Sequence, residues 1–515
     1  MGRKPGDAGN MYFCGLDVGT SGVKAVVFDE KGNEKKRAYR EYDFLLRADG
    51  TRSLDAENIW EKTKIVLREA AGPFGKLVAA ISVSSFGEAF VVLDGSDKVL
   101  CEVMVSTDRR GEREFEEEMK RIGSDEIISV CGLVPSPTYS LAKLLYLKKR
   151  KTEVYTNAKR VLLIGDFIQY RLSGGAAADC SSACRTMLFN IEKAEWSDRL
   201  FQVFDIERAL FSPAVFTGEI VGKLLLGVAR ETGLSSNAKV VAGGHDQPVN
   251  AIGAGLRKNT VACSMGTSEC MTPIFEKRPS PGVTKETNLP AELVWEKGKY
   301  CTLAYNPTSG LLIKWFFDIF SDEKSPPYAL FEKNMPKAPT GIMVQPYLMG
   351  SGTPYMDASA RMAITGIDIG TDRYMLYKAI LEGLVFDQKL NLEKIRMLGV
   401  QAERLVCTGG GCNSKAWLQL KADILQIPVS VLTTSEAGAL GCAAVCAAAL
   451  GEYGSIEEAA QNMSVVRETL EPAYAFDDFY QEKFSLYRHL RDDVKEESEF
   501  GCAAVMDTSI QRYFV

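Results

Sequence analysis

The chain has 515 residues, 46% of them apolar and 25% charged, and its 61 basic against 67 acidic side chains leave a net charge of −6. That length favours two or more domains. The mildly acidic balance argues against a nucleic-acid or anionic-membrane surface, and no apolar run approaches the roughly 20 residues that cross a bilayer.

The first ten residues, MGRKPGDAGN, lack the apolar core of a secretory leader and are expected to be a disordered lead-in. An apolar strand follows from Met11 to Leu16, then a glycine-rich turn, a second strand from Lys24 to Asp29, a turn at Lys31-Gly32-Asn33 and a third strand near Lys35 to Asp43. This is a β-meander. Ala56 to Ala71 has helical periodicity, with Asp55 as its N-cap. Leu77 to Ser84 reads as a buried strand, and helical spacing returns near 110–121, 139–150, 166–172 and 223–232.

Past the midpoint the pattern restarts. Lys239 to Ala242 is a strand, Asp246 to Ala254 a helix, and Thr260 to Ser264 a strand followed by a turn at Gly266. Later helices are expected at 309–319, 372–397, 413–426, 436–450 and 475–493, with a domain boundary near Gly255. Alternating strands and helices make the chain α/β. Asp17-Val18-Gly19-Thr20-Ser21 after the first strand is echoed by Met265-Gly266-Thr267-Ser268 about half the chain later. The repeat suggests two similar domains facing one ligand.

Thirteen cysteines, an odd number in mostly apolar settings such as Cys14, Cys263, Cys407 and Cys446, read as buried free thiols of a reducing cytoplasm. Cys442 and Cys446 sit four apart in an Ala-rich helix and read as core. With His245 and His489 the only histidines, a His-based zinc site is not expected.

Three segments carry chemistry. In Gly15-Leu16-Asp17-Val18-Gly19-Thr20-Ser21-Gly22-Val23-Lys24 the glycines let backbone N–H groups turn toward an anion, Lys24 adds positive charge, and Asp17 suits Mg²⁺. No helix follows, so this is neither a Walker A loop nor a dinucleotide fingerprint. Gly243-Gly244-His245-Asp246-Gln247 lies between a strand and a helix. Asp246 there is either an N-cap or a general base, and His245 is a rival base that Asp246 would orient. Thr408-Gly409-Gly410-Gly411-Cys412-Asn413 lets a flat ligand pack on backbone. A fourth segment, Gly366-Ile367-Asp368-Ile369-Gly370-Thr371, imitates the first, but Thr371 and Asp372 precede a long helix and read as its cap.

Taken together, GLDVGTSGVKAVVFD, GGHDQ, SMGTS, TGGGCNSKAWLQLKADILQIPV and EAGALGCA, in this order, make the chain resemble the FGGY carbohydrate kinases from about Tyr12 to about Arg491. Asp179 and Arg185-Thr186 fit the same pattern. The resemblance implies two ribonuclease-H-like domains of the actin-like ATPase type with a ligand cleft between them. Residues 11–255 would carry the sugar site and first phosphate loop, 256–495 the nucleotide site, and 496–515 a tail. It implies ATP and Mg²⁺ as cofactors and a small sugar or polyol as partner, with a homodimer the assembly to test for.

Residue by residue, Gly19, Thr20 and Lys24 would meet the transferring phosphate, Asp17 would help place Mg²⁺, and Asp246 would be the base. Gly266 and Thr267 would form the second phosphate loop, and Gly310, Gly410, Gly411 and Asn413 would line the nucleotide cleft. Glu88, Asp108, Arg110, Asp246 and Gln247 would face the sugar. This chain departs from well-known members there. Xylulose kinases carry Gln-Met-His-Gly where it has Phe86-Gly87-Glu88-Ala89, glycerol kinases carry Gln-Arg-Glu, and the family's Trp is replaced in Ser106-Thr107-Asp108. The expected reaction is phosphorylation of a small ketose such as a pentulose. A polyol kinase, a non-catalytic sensor and an actin-like ATPase are the rivals.

Overall fold

The computed structural model describes residues 11–47, 51–321 and 327–499; the expected lead-in and residues 500–515 lie outside the described residues. The first sheet begins with the predicted meander: β1 (Tyr12–Val18), β2 (Gly22–Asp29) and β3 (Glu34–Glu41). After helix α1 (Ala56–Ala70), the chain adds β4 (Val78–Ser85) parallel to β1. Then come β5 (Ile220–Lys223) and β6 (Lys239–His245), giving the order β5-β6-β4-β1-β2-β3. Asp55 caps α1 as expected, accepting bonds from the N–H groups of Glu57 and Asn58.

The second sheet repeats the plan. Helix α2 (Asp246–Gly253) leads into β7 (Thr260–Met265), which pairs antiparallel with β8 (Glu269–Phe275). Short strands β9 (Glu292–Leu293), β10 (Tyr300–Cys301) and β11 (Ala304–Asn306) extend the meander side. Helices α3 (Ser309–Phe320) and α4 (Arg373–Met397) follow. β12 (Arg404–Thr408) then lies parallel to β7, and β13 (Val429–Leu432) parallel to β12. Helix α5 (Ala437–Ala449) precedes the edge strand β14 (Val466–Leu470). In both sheets a hairpin is joined to two parallel strands on its first strand's far side, so the echoed Gly-Thr-Ser strings are equivalent hairpin turns.

Alternation along β1 decides what each face does. Cys14, Leu16 and Val18 join Ile59, Trp60, Val66 and Leu67 of α1 in one apolar cluster. Phe13, on the opposite face, packs with Ala439, Leu440 and Ala443 of α5. Gly15 shares that face, and a Cβ there would run into the Ala439 carbonyl, so the helix lies directly on the strand. Helices α2 and α5 cross equally closely: a Cβ on Gly253 would strike the Ala437 carbonyl, and one on Gly441 the Val249 carbonyl. Each helix packs on the sheet of the other half, α5 on β1 and β4 and α2 on β7 and β8.

Two expectations are corrected here. The tail was set at 496, yet the last helix spans Asp477–Glu499. The cap of α4 is Asp372 alone, whose Oδ1 accepts from the N–H groups of Tyr374 and Met375 at 2.9 and 2.8 Å. Thr371 instead closes an exposed turn with Asp368. No strand follows Gly366–Thr371, and Ile369 is fully exposed, so this segment lacks the hairpin geometry of the two true turns. Asp372→Ala should lower stability by about 1 kcal/mol in a urea titration. Thr371→Ala should change it by less than about 0.5 kcal/mol, and neither should alter turnover.

Candidate active site

The register of the first hairpin builds one half of the site. Asp17 lies directly opposite Lys24 and shares the α5 face of β1 with Phe13 and Gly15. It belongs to the strand and not, as the sequence suggested, to the turn after it. A Cβ at Gly438, in the first turn of α5, would stand 3.5 Å from its carboxyl, so Asp17 looks at the positive end of that helix. Glu436, immediately before α5, accepts a bond from Lys24 Nζ at 2.5 Å and from Arg37 Nη1 at 2.7 Å. Burial raises the Asp17 carboxyl above its ordinary value; Lys24 opposes this and Glu436 reinforces it.

Both glycine turns are open. Gly19 N–H donates to the Gly22 carbonyl at 2.9 Å, and the Tyr42 hydroxyl holds the Gly19 carbonyl, which leaves Thr20 exposed. In the second turn Gly266 N–H donates to the Ser268 carbonyl at 2.9 Å, and Gly266 and Thr267 are exposed. Gly310 was expected to line the nucleotide cleft. In the structure it docks α3 on this turn: Gly310 N–H donates to the Gly266 carbonyl at 3.1 Å, where any Cβ would clash. Gly411 likewise packs against Met265, while Gly410 and Asn413 are exposed.

Asp246 opens α2 and faces Asp17. Burial comes first among the causes that push its carboxyl up to about 7, followed by the charges of Asp17 and Glu88. Its side chain keeps 35% exposure, which limits the burial effect, but both neighbouring carboxylates act in the same direction. His245, the rival base, is 4% exposed, and burial followed by the Arg185 charge presses its pKa down to about 3. It is a neutral imidazole whose Nε2 lies 3.2 Å from Asp246 Oδ1. Gln247 turns toward β7, its Oε1 accepting from Ser264 at 3.0 Å.

Beside Asp246 lies a buried ionic network. Glu88 takes a left-handed backbone (φ 61°), and its Oε1 accepts both Nε and Nη2 of Arg185. Burial alone would raise the Glu88 carboxyl, but the charge and hydrogen bonds of Arg185, with His245 and Lys143, together hold the group below the ordinary range. Arg185 also donates to Glu292 of β9 and lies 4.9 Å over the Tyr139 ring. Lys143, fully buried, donates to the Thr138 carbonyl and feels the charges of Glu88 and Asp108; burial drops its pKa to about 8. Asp108 reaches this group, whereas Arg110 does not: its bonds go to Asp108 and outward to Glu102.

The site therefore joins Asp17, Lys24, Asp246 and Glu88, as the sequence suggested, and adds Glu436, Arg185, Glu292, Lys143 and Tyr139. Glu292 and Lys143 had a legible signal, since each interrupts an apolar run, Leu289-Pro290-Ala291-Glu292-Leu293-Val294 and Leu141-Ala142-Lys143-Leu144-Leu145.

Comparison with known proteins agrees with this geometry. The model of the FGGY family of carbohydrate kinases, N-terminal domain, matches residues 12–253, and that of the C-terminal domain matches residues 261–450. The chain belongs to the FGGY family of carbohydrate kinases. Among curated proteins, this FGGY kinase is 27% identical to a xylulose kinase of Bacillus subtilis (strain 168) over 94% of its own length and 97% of that protein. It is 26% identical to an autoinducer-2 kinase of Escherichia coli O9:H4 (strain HS), over 93% of each chain. Among solved structures, a ligand-bound xylulose kinase from Lactobacillus acidophilus superposes with a TM-score of 0.87 at 22% identity, covering 95% of this chain and 100% of that one. A gluconate kinase from the same organism gives 0.86 at 22% identity, over 94% and 98%. These likenesses fix the fold as that of the FGGY sugar kinases, and the protein is a carbohydrate kinase. Among the described residues no helix is long and apolar enough to cross a membrane.

The docking of α3 on the second turn yields a test. Gly310→Ala must push Gly266 and Thr267 off position, and a displacement of about 1 Å costs roughly 100-fold in rate. The variant should lose kcat/KM for nucleotide on that scale while sugar affinity by calorimetry stays within about threefold.

Proposed function

We propose that this FGGY kinase transfers the terminal phosphoryl group of ATP to a hydroxyl of a small neutral sugar, a pentulose first, with Asp246 as the general base. The chain divides near Gly255 into a sugar-facing half and a nucleotide-facing half. The observation that carries the reading is the placement of Asp246, whose carboxyl near 7 stands beside Asp17 at the head of α2. A base poised near neutral pH is matched to taking a proton from an attacking hydroxyl. Lys24 and the exposed residues Thr20 and Thr267 of the two glycine turns receive phosphate oxygens. As in other reducing-compartment enzymes, the described cysteines are all free thiols, which suits a cytoplasmic protein.

The residues fit Mg²⁺. Asp17 and Asp246 repel one another, and Glu436 adds a third negative group against Lys24, so a divalent cation would relieve the site. No three metal-ligating side chains converge among the described residues. Asp17 would thus be the protein's carboxylate on a cation that takes its other oxygens from phosphates and water. Bound there, Mg²⁺ would neutralise charge on the phosphates.

The sugar side supports a neutral substrate. The cations here are already committed: Arg185 to Glu88 and Glu292, Arg110 to Asp108 and Glu102, and Lys143 to the Thr138 carbonyl. A sugar acid would find no uncommitted cation among them. Relatives named xylulose kinases favour a pentulose. Glu88, the one match to the glycerol kinase pattern, favours a polyol as the second reading; among the described residues its Oε2 accepts no bond from the protein.

A panel of ketoses, aldoses, polyols and sugar acids, assayed for ADP release with Mg-ATP, should give its highest kcat/KM with a neutral ketopentose. ATP turnover that no sugar stimulates would overturn the proposal. Asp246→Asn should reduce kcat by about 10²–10⁴-fold while sugar binding persists. In the parent enzyme kcat/KM for sugar should climb as pH rises through about 7, where Asp246 loses its proton, and then level off.

A further inference from the structure

Two polar atoms beside the proposed base are buried without a partner. One is His245 Nδ1, the other Glu292 Oε2, and they face each other across 3.8 Å. That gap is too long for a hydrogen bond, and an unpaired buried polar group is costly. The surroundings hold the ring in place. A Cβ at Gly87 would come within 2.9 Å of His245 Cδ2, so the glycine makes room for the imidazole. The His245 backbone N–H donates to Ser181 Oγ at 2.9 Å, and that hydroxyl donates to Asp179. The other ring nitrogen reaches Asp246. Glu292 comes from the second sheet and His245 from the first, so the facing pair spans the two halves of the chain.

We propose that Glu292 and His245 are positioning residues that set, across the interface between the two halves, whether Asp246 stands ready as a base. This rests on the reading of Asp246 as the base. The chemistry is a tautomeric choice with a fixed number of protons. In one arrangement a protonated Glu292 donates to His245 Nδ1, His245 Nε2–H donates to Asp246, and Asp246 is an ionised acceptor. In the other, Glu292 is ionised and takes the Nδ1–H. The bare Nε2 then accepts from a protonated Asp246, which cannot act as base. Moving one proton from Glu292 to Nδ1 and another from Nε2 to Asp246 converts the first into the second. Exposure favours the first: Glu292 is wholly enclosed while the Asp246 side chain keeps 35% exposure, so the negative charge is better solvated on Asp246, against the pull of Arg185 on Glu292. Shortening the 3.8 Å gap to hydrogen-bond length completes the relay.

The charged groups around this relay are Asp17 from β1, Glu88 from the loop after β4, and Arg185 beyond the Cys180–Cys184 helix. All three are shared by the variants below. His245→Ala and Glu292→Ala should each lower kcat by about 10–100-fold, with KM for sugar and for ATP changed less than about threefold. Each should also move the acid limb of the pH profile to higher pH. The double variant should be no slower than the slower single, because Glu292 acts through His245. Glu292→Gln keeps a donor for Nδ1 and an acceptor for Arg185, and should recover at least tenfold over Glu292→Ala.

Unchanged kcat and pH profile in His245→Ala would overturn the proposal. So would multiplicative losses in the double variant, which would mean that Glu292 acts separately through Arg185; that route predicts a raised sugar KM. If His245→Ala fails to fold, His245→Gln, which keeps an amide donor toward Asp246, replaces it in the cycle with the same expectations at smaller amplitude. Asp246→Asn separates the two readings: if it stays active the base assignment fails, whereas if it is inactive and His245→Ala is normal only the relay fails.

Discussion

The crossing of α2 and α5 at backbone contact is the constraint from which the site follows. Gly253 and Gly441 leave no side chain between the helices, so carbonyls of one meet the glycine of the other. Each helix arises from one half of the chain and rests on the sheet of the other. Asp17 lies within reach of both helix starts, 3.5 Å from a Cβ at Gly438 of α5 and close enough to Asp246 of α2 to act on its charge. Asp246 begins one, Glu436 precedes the other, and Asp17 lies between them. On the proposed reading, the two exposed turns and the dipoles of the helix starts would favour a polyphosphate there.

What the sequence disclosed was local in origin. The Asp17–Lys24 pairing follows from a hairpin whose turn residues are visible, because register and alternation are fixed once the turn is placed. The head of α2 was legible for the same reason, with glycines, a strand end and an acidic first residue in line. What stayed hidden depends on distant segments. Glu436 meets Lys24 from more than 400 positions away, and Arg185 joins Glu88 to Glu292 across both halves. Gly310 also lets α3 approach Gly266, a contact that the sequence did not disclose. A glycine's freedom is visible in sequence, but what approaches it is not.

The ionic network bears on how a sugar is recognised. Arg185 makes two bonds to one oxygen of Glu88, one to Glu292, and lies on Tyr139, so its position is over-determined. That is consistent with Glu88 being held in a left-handed conformation rare for a side chain of its kind. If the proposed sugar site lies here, entering hydroxyl groups would meet acceptors and donors whose geometry is already set, which would reduce the ordering cost of binding.

Lys24 arrives at the site with a counter-ion of its own. Glu436 holds it at 2.5 Å while Arg37 steadies the other carboxylate oxygen. On the proposed reading that Lys24 receives phosphate oxygens, an incoming nucleotide would displace that carboxylate and a departing one would be replaced by it. The internal anion would then weaken the hold on donor and spent nucleotide alike. In a kinase whose turnover is limited by letting go of its product, a tethered competitor of this kind shortens the wait between cycles.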